Sequence, residues 1–417
     1  MAHWFHRNIF KATTIVNFDV KMIVQDAEAL KICSDLKQCR QRLLQVLPDV
    51  NNSPESVDSL YHTYLSLMFG FLNDFGSTGP SKLRHSTLFK WTHTLLGNVP
   101  QLQRDTVFEV ANMSCNVALW YMKHASMIAA KDDITMDEAK EVHKSLRKAA
   151  GIFRFVQREF LPQVQGKQKE GSDLDPRVTA SYMTQCTAEA QEVTVARAVE
   201  LKHNPGLISA LANETARLFL EAANNLGNLE VAQQWKLYLQ LKAEFYLAYA
   251  YRFCGENLLS LDKCGEAVRA VQEGLTHYNR VSQLCKDYSK KKGPAPKARP
   301  DTHIFFQKLA PMLKLSLDKF ERENGFIYHQ KVPADPPELE HKATYGLASP
   351  EEFTLPAPSV LWTPVTYAAF DDFRYSSNDP ASSNAASKVE GELPPVMEAQ
   401  VHHTTRDPKT ESGCTLQ

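Results

Sequence analysis

The segment LISALANETARLFLEAA at residues 207–223 follows Asn204-Pro205-Gly206. An asparagine followed by a proline favours a helix start, because the asparagine side chain accepts a free backbone N–H and proline lacks the N–H that would stay unpaired there. One edge of the predicted helix, at about 100° per residue, carries Leu207, Leu211 and Leu218. The whole apolar arc spans about 180°, which is wider than the ~100° stripe of a helix with one buried face.

Two interpretations explain this wide apolar arc. In the first, neighbouring helices pack on both sides of the segment, as they do in the middle of a helical stack. In the second, the leucine edge stays open to water in a groove and receives an amphipathic helix of another protein. The periodicity alone does not distinguish between them.

The same helical pattern fills residues 26–330. Ser53-Pro54 and Asp175-Pro176 are further helix starts, and TMDE at residues 135–138 is a capping box. Residues 262–277 (DKCGEAVRAVQEGLTH) are similar to the second half of a tetratricopeptide unit, although no fixed repeat length runs through the chain. The pattern therefore predicts a mainly α protein built from stacked helices.

Both ends of the helical region carry other patterns. Residues 1–25 and 87–95 are rich in β-branched and aromatic residues, which predicts a small N-terminal β-sheet. Residues 331–375 combine prolines with aromatic residues, which predicts an extended arm packed on the helical body. Residues 376–417 contain no aromatic residue, which predicts a disordered tail. We therefore predict one domain over residues 1–375, followed by that tail.

Composition excludes several classes of function. The 417 residues include 47 basic and 48 acidic side chains, so no general basic field favours a nucleic acid. The eight cysteines include no CxxC pair, which favours reduced thiols in the cytosol. No apolar run approaches the ~20 residues of a membrane span. Catalytic and phosphate-binding motifs are also missing, so we expect a non-enzymatic protein without metal or cofactor.

The last four residues, Cys414-Thr415-Leu416-Gln417, form a prenylation box. A terminal glutamine favours a farnesyl group, although Thr415 is not the aliphatic residue usually found there. We expect a prenyltransferase to modify Cys414, with methylation of the new terminus. One lipid chain binds membranes only marginally, so a second signal is needed. The basic loop KKKGPAPKAR at residues 290–299 is one candidate, and a partner already on the membrane is the other.

Several short segments resemble the BRO-domain family, the ESCRT-associated proteins that include Alix. They are AAGIF at residues 149–153, AEAQEV at 188–193, LISALAN at 207–213 and FIYH at 326–329, followed by Val332-Pro333. In this order they cover nearly all of residues 1–375. The resemblance implies a boomerang-shaped, elongated helical domain with a tetratricopeptide-like core, a small β-sheet and an extended C-terminal arm.

The same resemblance implies a partner. Members of the family bind the C-terminal amphipathic helix of an ESCRT-III subunit, a charged multivesicular body protein, in a concave hydrophobic groove. The two aliphatic groove positions fall on Leu207 and Leu211, which favours the open-groove interpretation. An aromatic position of the family falls on Thr194, with Val195 beside it, so we expect a shallower or more polar groove. Tyr328 matches a family tyrosine, for which a structural role is favoured over phosphorylation.

These observations predict a monomeric, farnesylated adaptor that is cytoplasmic, visits membranes reversibly and binds ESCRT-III. The membrane itself stays open: an endosome, the nuclear envelope or a similar compartment. The alternative is a prenylated scaffold whose main partners are other helices or cytoskeletal linkers. The predicted partner-binding residues are Leu207, Leu211, Leu218, Thr194 and Val195, and the predicted lipidation site is Cys414.

Overall fold

The structure is a computed structural model that describes residues 3–372 except 76–78, 132, 297, 340–342 and 344. Most of the described chain is helical, and the fold contains one β-hairpin. The elements are α1 (Ala27–Val46), α2 (Pro54–Leu72), β1 (Phe89–His93), β2 (Gly97–Gln103), α3 (Thr106–Ala129), α4 (Met136–Phe155), α5 (Pro176–Glu200), α6 (Pro205–Asn225), α7 (Gln233–Ser260), α8 (Cys264–Lys290), α9 (Ile304–Gln307), α10 (Leu309–Glu323) and α11 (Pro364–Ala369).

The helix starts predicted from cap residues are confirmed. Asp175 and Asn204 accept the backbone N–H groups of the first turns of α5 and α6, and a proline follows each of them. At α4 the capping box forms in both directions: Glu138 N donates to Thr135 Oγ1 at 3.2 Å, and Thr135 N donates to Glu138 Oε2 at 2.9 Å. Local side-chain chemistry therefore sets where these helices begin.

The small sheet is confirmed, but its position is only partly as predicted. β1 pairs antiparallel with β2, so the sheet is a hairpin within residues 89–103. The prediction of a strand in residues 1–25 is wrong for the described residues, where only isolated bridges form, Thr13 with Trp91 and Met22 with Phe370. Residues 4–18 instead bury aromatic side chains, among them Phe10 and Phe18, against the helices.

The helices pack mainly against their neighbours along the chain. α3 is buried along almost its whole length and forms the centre of the fold. α6 lies between α5 and α7 and packs against both of them. This two-sided packing accounts for most of the wide apolar arc of α6, as the first interpretation of the sequence expected.

Residues 345–370 run along the helical body. Glu351 N donates to the carbonyl oxygen of Arg147 on α4 at 2.9 Å, and a Cβ at Gly151 would lie 2.0 Å from the carbonyl oxygen of Glu351. Farther on, Trp362 is buried and its Nε1 donates to the Leu67 carbonyl at 2.8 Å. The arm was predicted to be extended, and it also contains the short helix α11, which begins after the Thr363 cap.

Two further predictions concern membranes and the tail. Within the described residues, every helix is too short or too polar to serve as a transmembrane span. The predicted disordered tail at residues 376–417, with Cys414, lies outside the described residues. The limits of the predicted domain stay a prediction.

Candidate partner-binding face

The C-terminal part of α5 and the N-terminal half of α6 bring the predicted residues together. A Cβ placed on Gly346 of the arm would lie 3.5 Å from both Thr194 Cγ2 and Leu211 Cδ2. Thr194 and Leu211 therefore border one small area of surface, although they lie on different helices. Leu207 lies one turn before Leu211 on the same edge of α6. We call this area, formed by Thr194, Leu207 and Leu211, the α5–α6 face.

The burial of these residues corrects part of the sequence prediction. Leu211 and Val195 are each only 2% exposed and belong to the main hydrophobic core. The prediction that Leu211 stands open to water is therefore wrong, as is the placement of Val195 on a contact surface. Leu207, Leu218 and Thr194 are half-buried, so part of each side chain still reaches the surface.

The arm provides the cover over Leu211. Residues 345–348 (Tyr-Gly-Leu-Ala) cross the α5–α6 face, and we call them the strap. Gly346 has φ +80°, a left-handed conformation that glycine adopts without steric cost. A larger residue would be strained here by the backbone conformation, although its Cβ would lie at ordinary van der Waals distance from Leu211.

One buried side chain holds the strap in place. Gln191 of α5 donates from Nε2 to the Gly346 carbonyl at 2.9 Å, and its Oε1 accepts from Ala348 N at 2.6 Å. Both polar atoms of the Gln191 amide are therefore hydrogen-bonded to the backbone of the strap. In contrast, the side chains of Tyr345 and Leu347 are exposed.

A buried layer of charges lies beneath α5. Arg7 donates to both carboxylate oxygens of Glu189, at 2.8 and 2.7 Å, and the Tyr238 hydroxyl donates to the same carboxylate at 2.8 Å. One turn later, Glu192 pairs with Lys242 of α7, and both side chains are inaccessible to solvent. These contacts fix α5 against α7 and the N-terminal segment, so the α5–α6 face rests on a rigid base.

The pKa values of the second pair reflect its burial. Burial raises the pKa of Glu192, and the Lys242 ammonium opposes that rise. Burial lowers the pKa of Lys242, and the Glu192 carboxylate opposes that fall. Trp4 Nε1 also donates to Glu192 Oε2 at 2.5 Å, and the Lys242 ammonium lies 4.9 Å from the ring centroid of Phe305. Aromatic rings therefore lie beside both charges of this pair, and the pair helps to hold α5 and α7 in place.

The other predicted features are placed as follows. The Tyr328 hydroxyl donates to Asp262 Oδ1 at 3.0 Å, and this hydrogen bond raises the pKa of Tyr328. The bond gives Tyr328 a structural contact. Lys290, Lys291 and Lys292 are exposed at the end of α8. Among the described residues, no three His, Cys, Asp or Glu side chains are arranged to hold a metal ion.

Sequence reasoning missed Gln191 and Gly346. Gln191 lies inside the AEAQEV segment, but a buried glutamine gives no periodic signal. Gly346 gives only a weak one, a glycine between Tyr345 and Leu347 in a proline-rich stretch. Their contact joins parts of the chain that are far apart in sequence, which a single sequence does not show.

The chain is similar in sequence to known proteins along most of its length. The model of the BRO1-like domain family matches residues 21–363. The human BRO1 domain-containing protein BROX is 51% identical over 374 residues, which cover 89% of this chain and 91% of that protein. The BROX homolog of Caenorhabditis elegans is 41% identical over 429 residues, which cover 100% of both chains.

Solved structures show the same fold. The BRO1 domain of ALIX, in a complex with CHMP4C, is similar with a TM-score of 0.64 at 17% identity, over 84% of this chain and 96% of that chain. A Bro1 domain whose structure was described as a basis for endosomal targeting has a TM-score of 0.61 at 19% identity, over 88% and 96% of the two chains. The predicted mainly α fold and the predicted family resemblance are both confirmed, and the chain belongs to the BRO1-like domain family.

Proposed function

We propose that this protein is an ESCRT-associated adaptor that binds the C-terminal amphipathic helix of an ESCRT-III subunit at the α5–α6 face. The observation that carries the proposal is the convergence of Thr194, Leu207 and Leu211 on one small area. Family membership supports the adaptor role, and the ALIX BRO1 domain, which has the same fold, is known in a complex with CHMP4C.

The apolar surface that stays exposed on the α5–α6 face, and farther along the same edge of α6, sets the strength of the contact. Leu207 and Leu218 lie on one edge of α6 and are half-buried, so a partner helix can cover the apolar surface that remains. Fully burying a leucine contributes about 1.5–3 kcal/mol, and two partly exposed leucines contribute less than twice that. Association entropy removes much of this gain, so we expect an affinity in the micromolar range.

We further propose that Cys414 is farnesylated by a prenyltransferase and gives the protein a reversible hold on membranes. A single lipid is a weak anchor, so a second contact has to add to it. Binding to membrane-bound ESCRT-III supplies such a contact. The exposed lysines 290–292 supply another, because each positive charge near an anionic membrane contributes about 1 kcal/mol. The protein is then a cytoplasmic monomer that exchanges with the membrane.

A peptide titration tests the helix-binding site. A fluorescent C-terminal helix of an ESCRT-III subunit is titrated with the full-length protein and with Leu207→Asp, which places a charge on the α5–α6 face. The control is Leu220→Asp, because Leu220 is exposed on the opposite side of the same helix. We expect Leu207→Asp to weaken binding at least tenfold and Leu220→Asp to leave it unchanged.

Either of two results would contradict the proposed site. Equal weakening by both aspartates would point to a general effect on α6, and equal binding by all three proteins would place the helix elsewhere. Circular dichroism melting of each variant checks that the fold is intact. A protein that binds other helical or cytoskeletal partners through this face, but not the ESCRT-III helix, would favour the scaffold function.

A further inference from the structure

We infer that, away from membranes, the farnesyl group on Cys414 folds back onto an exposed apolar surface formed by Ile23, Val24 and Val365, which we call the α11 patch. This inference rests on the proposed farnesylation and adds its regulation, because the patch and the membrane compete for the same lipid. It starts from three aliphatic side chains that the fold leaves in water beside the point where the tail begins.

The fold brings the residues of the α11 patch to one border. Ile23 N donates to the Ala369 carbonyl at 2.9 Å, and Met22 forms an isolated antiparallel bridge with Phe370. Val365 lies one turn before Ala369 on α11. The short helix and the segment that contains Ile23 are therefore neighbours, although they are far apart in sequence.

The α11 patch exposes branched aliphatic side chains, a type that is usually buried. Ile23 is 66% exposed, Val24 64% and Val365 74%. Successive side chains of an extended segment point in opposite directions, so the pairing that turns Met22 toward the core beside Phe370 turns Ile23 outward. Covering such surface contributes about 25 cal/mol per Å². The patch is therefore suited to an apolar occupant.

The charges around the α11 patch favour an uncharged lipid over a membrane surface. Residues 19–31 and 371–372 carry five carboxylates and two lysines. A third lysine, Lys82, donates to the Phe370 carbonyl. An anionic membrane is repelled by this excess of negative charge, whereas a farnesyl group is not. The carboxylates are those of Asp19, Asp26, Glu28, Asp371 and Asp372.

The tail begins beside the patch. Asp371 N donates to the Lys21 carbonyl at 3.0 Å, and Cys414 follows 42 residues after Asp372. A chain of that length spans at most about 150 Å, which is ample for a return to the patch. Because the composition of the tail predicts disorder, the lipid acts as a tethered ligand with an effective concentration on the order of millimolar. Even a weak contact is then occupied for much of the time.

The lipid then has two competing places. A single lipid chain binds a membrane only marginally, so an internal site of similar strength lowers the apparent membrane affinity. In solution the same site keeps the lipid out of water. Removing the patch should therefore strengthen membrane binding, which is opposite to the effect expected of a surface that itself contacts the membrane.

The test uses the full-length protein, farnesylated with a farnesyltransferase and farnesyl diphosphate. The Cys414 thiolate displaces diphosphate and forms a thioether, and mass spectrometry checks that the reaction is complete. The patch variant is Ile23→Ser/Val365→Ser. The matched control is Leu315→Ser, because Leu315 is 69% exposed on α10, which packs mainly on α8 and not on α11. Circular dichroism melting checks the fold of each variant.

The first measurement is sedimentation with vesicles of phosphatidylcholine alone, which carry no net charge and so leave the basic loop out of the comparison. We expect the farnesylated patch variant to bind about three- to tenfold more tightly than the farnesylated wild type, because more of its lipid is free. Leu315→Ser should bind as the wild type does. Equal binding by the three farnesylated proteins would overturn the fold-back, and so would weaker binding by the patch variant.

The second measurement is amide hydrogen exchange without membranes, which follows the patch directly. We expect slower exchange at residues 22–24 and 365–370 in the farnesylated wild type than in the unmodified protein, and no change on α10. Unchanged exchange at the patch, or protection of α10 instead, would overturn the fold-back. If the farnesyl group slows exchange at the patch but leaves all three proteins unbound to vesicles, the proposed membrane anchor fails and the fold-back stands.

Discussion

The substitution Lys242→Met tests the charge layer that supports the α5–α6 face. It removes the ammonium that pairs with Glu192 and keeps a side chain of similar length. Both members of the pair are inaccessible to solvent, so no water replaces the lost contact. Removing one partner of a buried ion pair typically costs about 3–5 kcal/mol, since the remaining charge is left uncompensated. We expect a loss of stability of that size at pH 8.

The pH dependence of this loss has a definite sign. Burial already raises the pKa of Glu192, and Lys242 opposes the rise, so the variant should raise that pKa further. A carboxyl with a raised pKa in the folded state binds its proton more tightly there than in the unfolded chain. Its contribution to stability is therefore present at low pH and is lost as the pH rises through the folded-state pKa. Lys242→Met should be closer to wild-type stability at pH 5 than at pH 8.

The assay is thermal unfolding of the full-length protein at both pH values, with the double variant Lys242→Met/Glu192→Gln as control. The glutamine can still accept the hydrogen bond from Trp4 Nε1 and carries no charge. We expect it to recover most of the lost stability, because a neutral pair leaves no buried charge. The reasoning is refuted if the single variant melts like the wild type at pH 8, or if the double variant is no more stable than the single one.

Three shorter predictions concern other parts of the fold. Leu211→Ala should lower the free energy of unfolding, measured by chemical denaturation, by about 2–5 kcal/mol. Leu220→Ala should lower it by less than about 0.5 kcal/mol, and similar losses in the two variants would mean that Leu211 is not in the core. Gly151→Ala should release the arm from α4, because the new Cβ would lie 2.0 Å from the Glu351 carbonyl oxygen, and limited proteolysis should then cut the arm faster. Cys414→Ser should shift the protein from membrane to soluble fractions without changing helix binding, and unchanged fractionation would remove the lipid from the proposal.

The sequence predicted the elements that local chemistry determines. Cap residues and the prolines after them marked the starts of α5 and α6, because the cap side chain and the first turn are adjacent along the chain. β1 was found from its aromatic and β-branched residues. β2 was missed, because its sequence GNVPQLQ is polar and contains a proline. Residues 1–25 have the composition of a strand, but side-chain packing against the helices determines their conformation.

The partner-binding residues were predicted less well than the fold. Periodicity placed Leu207, Leu211 and Leu218 on one edge of α6 correctly. The surroundings of Leu211 on that edge include Gly346, a residue far along the chain that is hydrogen-bonded to Gln191. One sequence does not reveal such a contact, because neither residue has a partner at a fixed spacing. The structure therefore agrees with the predicted position of these leucines on α6, but it shows that Leu211 is buried.

A crystal structure of the full-length protein with the C-terminal helix of an ESCRT-III subunit tests the central claim most directly. The account predicts that the helix lies across α5 and α6, with an apolar side chain against Leu207. A helix bound on another surface of the protein would contradict the account.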